Sequence, residues 1–163
     1  MELQVEQELK NWFSDAKKVA IAGIGNPIRS DDYVGLKIVQ DLQEKVSSDV
    51  LLLECETVPE TYISDIQQFQ PTHVLLIDAA FLNLKEGEMQ LVKSDQIASF
   101  PAITTHLLPL HIFCDLIQSI TGAKILLLLI QPGNIAFGEG LTLEVEETAK
   151  KVTSLLLDFF GTK

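Results

Sequence analysis

Basic side chains are scarce in this sequence: 12 Lys and Arg stand against 23 Asp and Glu, a formal net charge of -11 over 163 residues. Lys and Arg cluster nowhere, so the electrostatic footprint that nucleic acids and anionic membrane surfaces require is missing. Cysteine is scarcer still. Cys55 and Cys114 lie far apart in apolar surroundings, which argues against a disulfide framework and for a reducing cytoplasm. The longest apolar run, Ile125 to Ile130, falls far short of the about 20 residues that cross a bilayer. Met1 to Glu6 has neither the basic start nor the apolar centre of a secretory signal. Repeats, low-complexity tracts and linker-like shifts of composition are also missing. The expectation is a cytoplasmic monomer whose partners are proteins or small molecules.

What is present is a substantial apolar fraction, 47% of residues, enough for one core and one domain spanning 1-163. Val5, Leu9, Trp12 and Phe13 share a helical face, predicting a helix over 2-14. Val19-Ala20-Ile21-Ala22, Val50-Leu51-Leu52-Leu53, Val74-Leu75-Leu76-Ile77 and Ile125 to Ile130 run without polar interruption, the pattern of strands buried on both faces. Between them stand amphipathic spacings. Val34, Ile38 and Leu42 form one. Thr57-x-x-Glu60 with Pro59 reads as a capped start leading to Ile63, Ile66 and Phe69. Leu110, Phe113, Cys114, Ile117 and Ile120 form another, ended by Gly122, and the last runs from Val145 to Phe159 after Thr142. Met89 to Val92 reads as a short edge strand. Alternating strands and helices predict an α/β fold, a three-layer αβα sandwich with a mainly parallel twisted sheet.

Ligands of open parallel sheets bind beyond the carboxyl ends of the strands. Here that edge receives Asp31 and Asp32 after the first strand, Glu54 after the second and Asp78 after the third, with Thr104-Thr105-His106 before the following helix. Each has a structural reading. Asp31 reads as an N-cap, Glu54 as the solvated end of its strand, His106 as a cap residue, His111 with Asp115 as a solvated helix face, and His73 as exposed. Asp78 resists such a reading, because an ionised carboxylate directly after four buried aliphatics needs a partner or a metal. Jointly, Asp32, Asp78 and His106 point to a site for nickel, zinc or iron with coordination positions left open, and to metal-assisted hydrolysis of an amide. Two other chemistries compete. Gly23-x-Gly25 with Glu54 half-matches a dinucleotide-binding fingerprint, but Ile28 replaces its third glycine and two carboxylates would crowd the pyrophosphate. A nucleophilic Cys55 lacks any neighbour that would lower its pKa.

Gly25-Asn26, Asp31-Asp32 with Gly35, Ile77-Asp78-Ala79, Thr104-Thr105-His106 and Ile130-Gln131-Pro132 occur in an order that resembles the hydrogenase maturation endopeptidases, over roughly residues 18 to 158. Within that family the resemblance is to the peptidases serving group 4 or formate-linked hydrogenases. It implies a cytoplasmic endopeptidase that removes the C-terminal extension of a nickel-iron hydrogenase large-subunit precursor after nickel insertion. The nickel is carried by the substrate as the recognition signal, and the peptidase holds no metal tightly. The residues carried over as ligands and catalytic groups are Asp32, Asp78 and His106, with Glu54 as a possible further catalytic carboxylate. Where relatives carry Asp and two small residues, this chain has Glu54-Cys55-Glu56, and residues 1-16 look like a helical addition to the family core. A non-catalytic nickel checkpoint or chaperone is the alternative that keeps the same site.

Overall fold

The runs Val19 to Ala22, Val74 to Ile77 and Ile125 to Ile130 become strands covered on both sides. Val50-Leu51-Leu52-Leu53, expected to be buried likewise, lies at an edge of the sheet with only Leu53 fully buried, because one side of it has no neighbouring strand. The computed structural model describes residues 2–99 and 107–162. In chain order the elements are α1 (Glu2–Trp12), β1 (Val19–Ile24), α2 (Val34–Leu42), β2 (Val50–Glu56), α3 (Ile63–Phe69), β3 (His73–Ala79), β4 (Met89–Lys93), α4 (Leu107–Thr121), β5 (Lys124–Ile130) and α5 (Leu143–Phe160). Four parallel strands and antiparallel β4 form one sheet in the order β2-β1-β3-β5-β4. This is the expected mainly parallel α/β architecture. Met89–Lys93 is its edge strand, as the short run from Met89 suggests.

Strand alternation divides the core into two layers. Val19, Ile21, Leu75, Ile77 and Leu128 face α1, α2 and α5, whereas Ala20, Ala22, Leu53, Val74, Leu76 and Leu127 face α3 and α4. Each buried Leu or Ile contributes about 1.5–3 kcal/mol by leaving water, so the sheet interior is held largely by these runs. Gly122 ends α4 in a left-handed conformation (φ 71°), its N–H donating to the Gln118 carbonyl at 2.9 Å. The expected cap at Thr57 does not form. A 3-10 turn over Pro59–Tyr62 precedes α3, with Val58 before it and no side-chain cap.

His73 is 2% exposed, contrary to the expectation that it faces solvent. It opens β3 beneath Trp12, 4.8 Å away between ring centroids, with Nε2 3.1 Å from Asp15 Oδ1 and Nδ1 2.9 Å from Thr72 Oγ1. Asp15 also accepts from Lys124 Nζ at 2.8 Å. This cluster ties α1 and its following turn to the amino ends of β3 and β5. Burial pushes the His73 pKa below its ordinary value of 6.5, and Asp15 opposes that shift without cancelling it. The unfolded chain therefore takes up a proton at His73 before the folded chain does. The penalty is absent well above pH 6.5 and grows as pH falls from there toward the folded pKa. Chemical denaturation at stepped pH should show wild type losing stability on acidification more steeply than His73→Phe; identical slopes would show that burial does not govern this imidazole.

Candidate active site

β1 and β3 are neighbours, yet the chain leaves β1 for β2 on one side and β3 for β4 and then β5 on the other. Their carboxyl ends therefore flank the topological switch point, where open α/β sheets form a crevice. A register shift between Gly23 and Ile24 marks the end of β1. Gly25 then takes a backbone conformation that few side chains tolerate (φ 146°), and its N–H donates to the Glu56 carbonyl at 2.7 Å. A Cβ at Gly25 would lie 1.8 Å from the Asp32 carbonyl oxygen, and one at Gly35 would lie 2.0 Å from the Ile77 oxygen and 2.5 Å from the Ile24 oxygen. These two glycines let the segment between β1 and α2 lie directly over the ends of β1 and β3.

That segment carries Asp32, 8% exposed, whose Oδ2 accepts the Asn26 N–H at 3.0 Å. Asp78, 1% exposed, closes β3 and accepts the N–H of Ala79 at 2.8 Å. Alternation along β3 sets Asp78 on the side of Val74 and Leu76, the layer of α3 and α4. The segment after β1 and the end of β3 thus each place one of the residues singled out from the sequence at the carboxyl edge. His106, the third, lies outside the described residues. Among the described residues no three His, Cys, Asp or Glu side chains are grouped closely enough to hold an ion.

Glu54 does not join them. It falls inside β2, between Leu53 and Cys55 of the α3–α4 layer, so its side chain projects to the opposite face. There it accepts from Gln40 Nε2 at 3.0 Å and Gln43 Nε2 at 3.1 Å, clamping β2 to α2. Period-two alternation separates Glu54 from Asp78 even though both strands end at the same edge.

Asp31 is fully buried, and it does more than cap a helix. Its Oδ2 accepts from Gly133 N at 2.8 Å, Asn134 N at 3.0 Å and Thr142 Oγ1 at 2.8 Å, and its Oδ1 accepts from Thr142 N at 2.8 Å. The loop between β5 and α5 is therefore fastened to the Asp32 segment, and the entrance to α5 is capped from across the molecule. Gln131 works similarly: its Oε1 accepts from Leu82 N at 2.6 Å, bracing the loop that follows β3. Sequence reasoning missed that role, although a buried glutamine after an aliphatic strand and before proline is the kind of polar group that must find partners. Cys55 and Cys114 are buried, and burial pushes both thiols up to about 12, so neither is poised as a nucleophile.

Comparison with known proteins yields a consistent set. The sequence profile of the hydrogenase maturation protease family (HycI) matches residues 36–159. A hydrogenase maturation protease of Methanocaldococcus jannaschii is 30% identical over 162 residues, covering 94% of this chain and 95% of its own length. The hydrogenase 3 maturation protease of Escherichia coli K12 is 26% identical over 138 residues, 85% of this chain and 88% of its own. Among solved structures, the NiFe hydrogenase maturation protease HycI of Thermococcus kodakarensis KOD1 superposes with a TM-score of 0.84 at 33% identity, covering 93% of this chain and 97% of that one.

Proposed function

This chain belongs to the hydrogenase maturation protease family, and from that premise we propose that it cuts the C-terminal extension from a hydrogenase large-subunit precursor once nickel is in place. As a member it is a hydrolase acting on peptide bonds. The substrate-borne nickel is the recognition signal in this proposal, and the observation that supports it is that two carboxylates, Asp32 and Asp78, are both buried at the carboxyl ends of the strands that flank the switch point. A nickel ion arriving with the precursor adds a cation beside carboxylates that already accept the Asn26 and Ala79 N–H groups. Asp32, Asp78 and His106 complete its coordination, which brings the scissile peptide alongside. Water adds to the peptide carbonyl, its proton passing to the leaving amine, with either the ion or a site carboxylate activating the water. Glu54, engaged with Gln40 and Gln43, has no part in it.

Metal-dependent docking makes binding and proofreading one event. A nickel-free precursor lacks an anchor that nothing in the protease replaces, so discrimination comes from a missing interaction. The test is to incubate the protein with nickel-loaded and nickel-free precursor and read C-terminal masses. Shortened chain should form only from the loaded form. Equal cleavage of both would overturn nickel recognition, and a nickel-dependent complex without cleavage would mark a checkpoint protein instead of a peptidase. No helix among the described residues is long and apolar enough to cross a membrane.

A further inference from the structure

We propose that Ile28 and Phe137, side by side at the carboxyl edge, form the apolar contact on which the large-subunit precursor docks, through an apolar patch of its own bordered by Lys and Arg; this rests on the processing reading above. Phe137 is 81% exposed and Ile28 is 53% exposed. A lone exposed apolar side chain is ordinary. This pair is set apart by how firmly its backbone is held. Arg29 and Gly138 form a parallel bridge, with the Gly138 N–H donating to the Ile28 carbonyl at 2.9 Å and the Ser30 N–H donating to the Gly138 carbonyl at 2.9 Å. Carrying the same register back one residue sets Ile28 beside Phe137. Ser30 Oγ donates to the Ala136 carbonyl and Arg29 Nε to the Ile135 carbonyl, both at 3.1 Å. The Arg29 guanidinium lies 5.7 Å from the Phe137 ring centroid.

The chain thus orders two loop tips and leaves their large apolar side chains in water. Such ordering costs conformational entropy in the free protein and lowers the cost of association, which is the preorganisation a recognition surface uses. The same strand of chain continues into Asp31 and Asp32, so the contact adjoins the site it would serve. Charge indicates the occupant. The Arg29 cation is engaged by the Ile135 carbonyl and the Phe137 ring, while Glu139, next to the Gly138 bridge, is an exposed carboxylate on a protein of net charge -11. The complement is an apolar surface rimmed by cations, with electrostatics steering the approach and the apolar pair holding the complex.

Titration of nickel-loaded precursor against the protein, run alongside the cleavage assay, tests this. Phe137→Ser and Ile28→Ser should each raise Kd and KM roughly tenfold, the scale of an interface anchor, with kcat at saturating precursor and the thermal unfolding midpoint unchanged. Phe137→Tyr should bind as wild type does, and wild-type Kd should rise with salt. An unchanged Kd in the Ile28→Ser, Phe137→Ser double variant overturns the docking surface whether or not cleavage occurs. A wild-type protein that binds through these residues but never shortens the precursor overturns the processing reading alone, and one that does not bind overturns both.

Discussion

Asp78→Asn should abolish processing, with kcat/KM falling on the order of a thousandfold, the range over which a positioned acid, base or ligand acts, while the fold is kept. Asparagine has the volume of aspartate and retains an oxygen to accept the Ala79 N–H, so the end of β3 need not move. What disappears is the negative charge at the switch point. Asp32→Asn should behave in the same way, because the Asn26 N–H needs only an acceptor. Glu54→Gln provides the contrast: it lies on the other face of the sheet, held by Gln40 and Gln43, and should process at the wild-type rate. C-terminal mass of the nickel-loaded precursor over time, with thermal unfolding as the control for folding, checks all three. Wild-type cleavage by both asparagine variants would remove the two carboxylates from the mechanism, and loss of cleavage in Glu54→Gln alone would return the chemistry to β2.

The strands were legible because burial on both faces leaves a signature in adjacent residues: Val74-Leu75-Leu76-Ile77 needs no knowledge of its neighbours to be read as interior sheet. The carboxyl edge followed from the same reasoning, since the residue after such a run stands at the strand end. Both inferences are local. Facing is where they stopped. Whether Glu54 points with Asp78 or against it depends on how the register of β2 meets β1, and a displacement of one residue reverses the answer. His73 was misplaced for a related reason. Its shelter comes from Trp12 and Phe13, on an N-terminal segment whose docking position no local pattern reports. The glycines could be recognised as turn residues, but only the structure identifies what each would strike: the Asp32 carbonyl for Gly25, and the Ile77 and Ile24 carbonyls for Gly35.

Asp31→Ala should be the most destabilising single change near the site, costing about 3–5 kcal/mol, because hydrogen bonds to a charged group contribute about 1.5–3 kcal/mol each and the donors left behind lose their acceptor. Four donors converge on this carboxylate: the N–H groups of Gly133, Asn134 and Thr142, and the Thr142 hydroxyl. Besides these, the loop meets the Asp32 segment through the Asp31 N–H, which donates to the Asn134 carbonyl at 2.9 Å, and through bonds with Ile28, Arg29 and Ser30. Losing the Asp31 side chain therefore leaves the Gly133, Asn134 and Thr142 donors at the base of this loop and the entrance to α5 without their acceptor. Asp31→Asn should lie between, keeping one oxygen acceptor while turning an amide toward donors. Thr142→Val, which removes only the hydroxyl donor, should cost about 1 kcal/mol. Denaturant unfolding of the three variants gives the order directly. If Asp31→Ala were as stable as wild type, the carboxylate would not be fastening this loop. Asp31 and Asp32 would then need the same test of activity at full fold. With the expected order, two neighbouring aspartates divide the work: Asp31 holds two distant loops together, and Asp32, which accepts the Asn26 N–H, is left to the proposed chemistry.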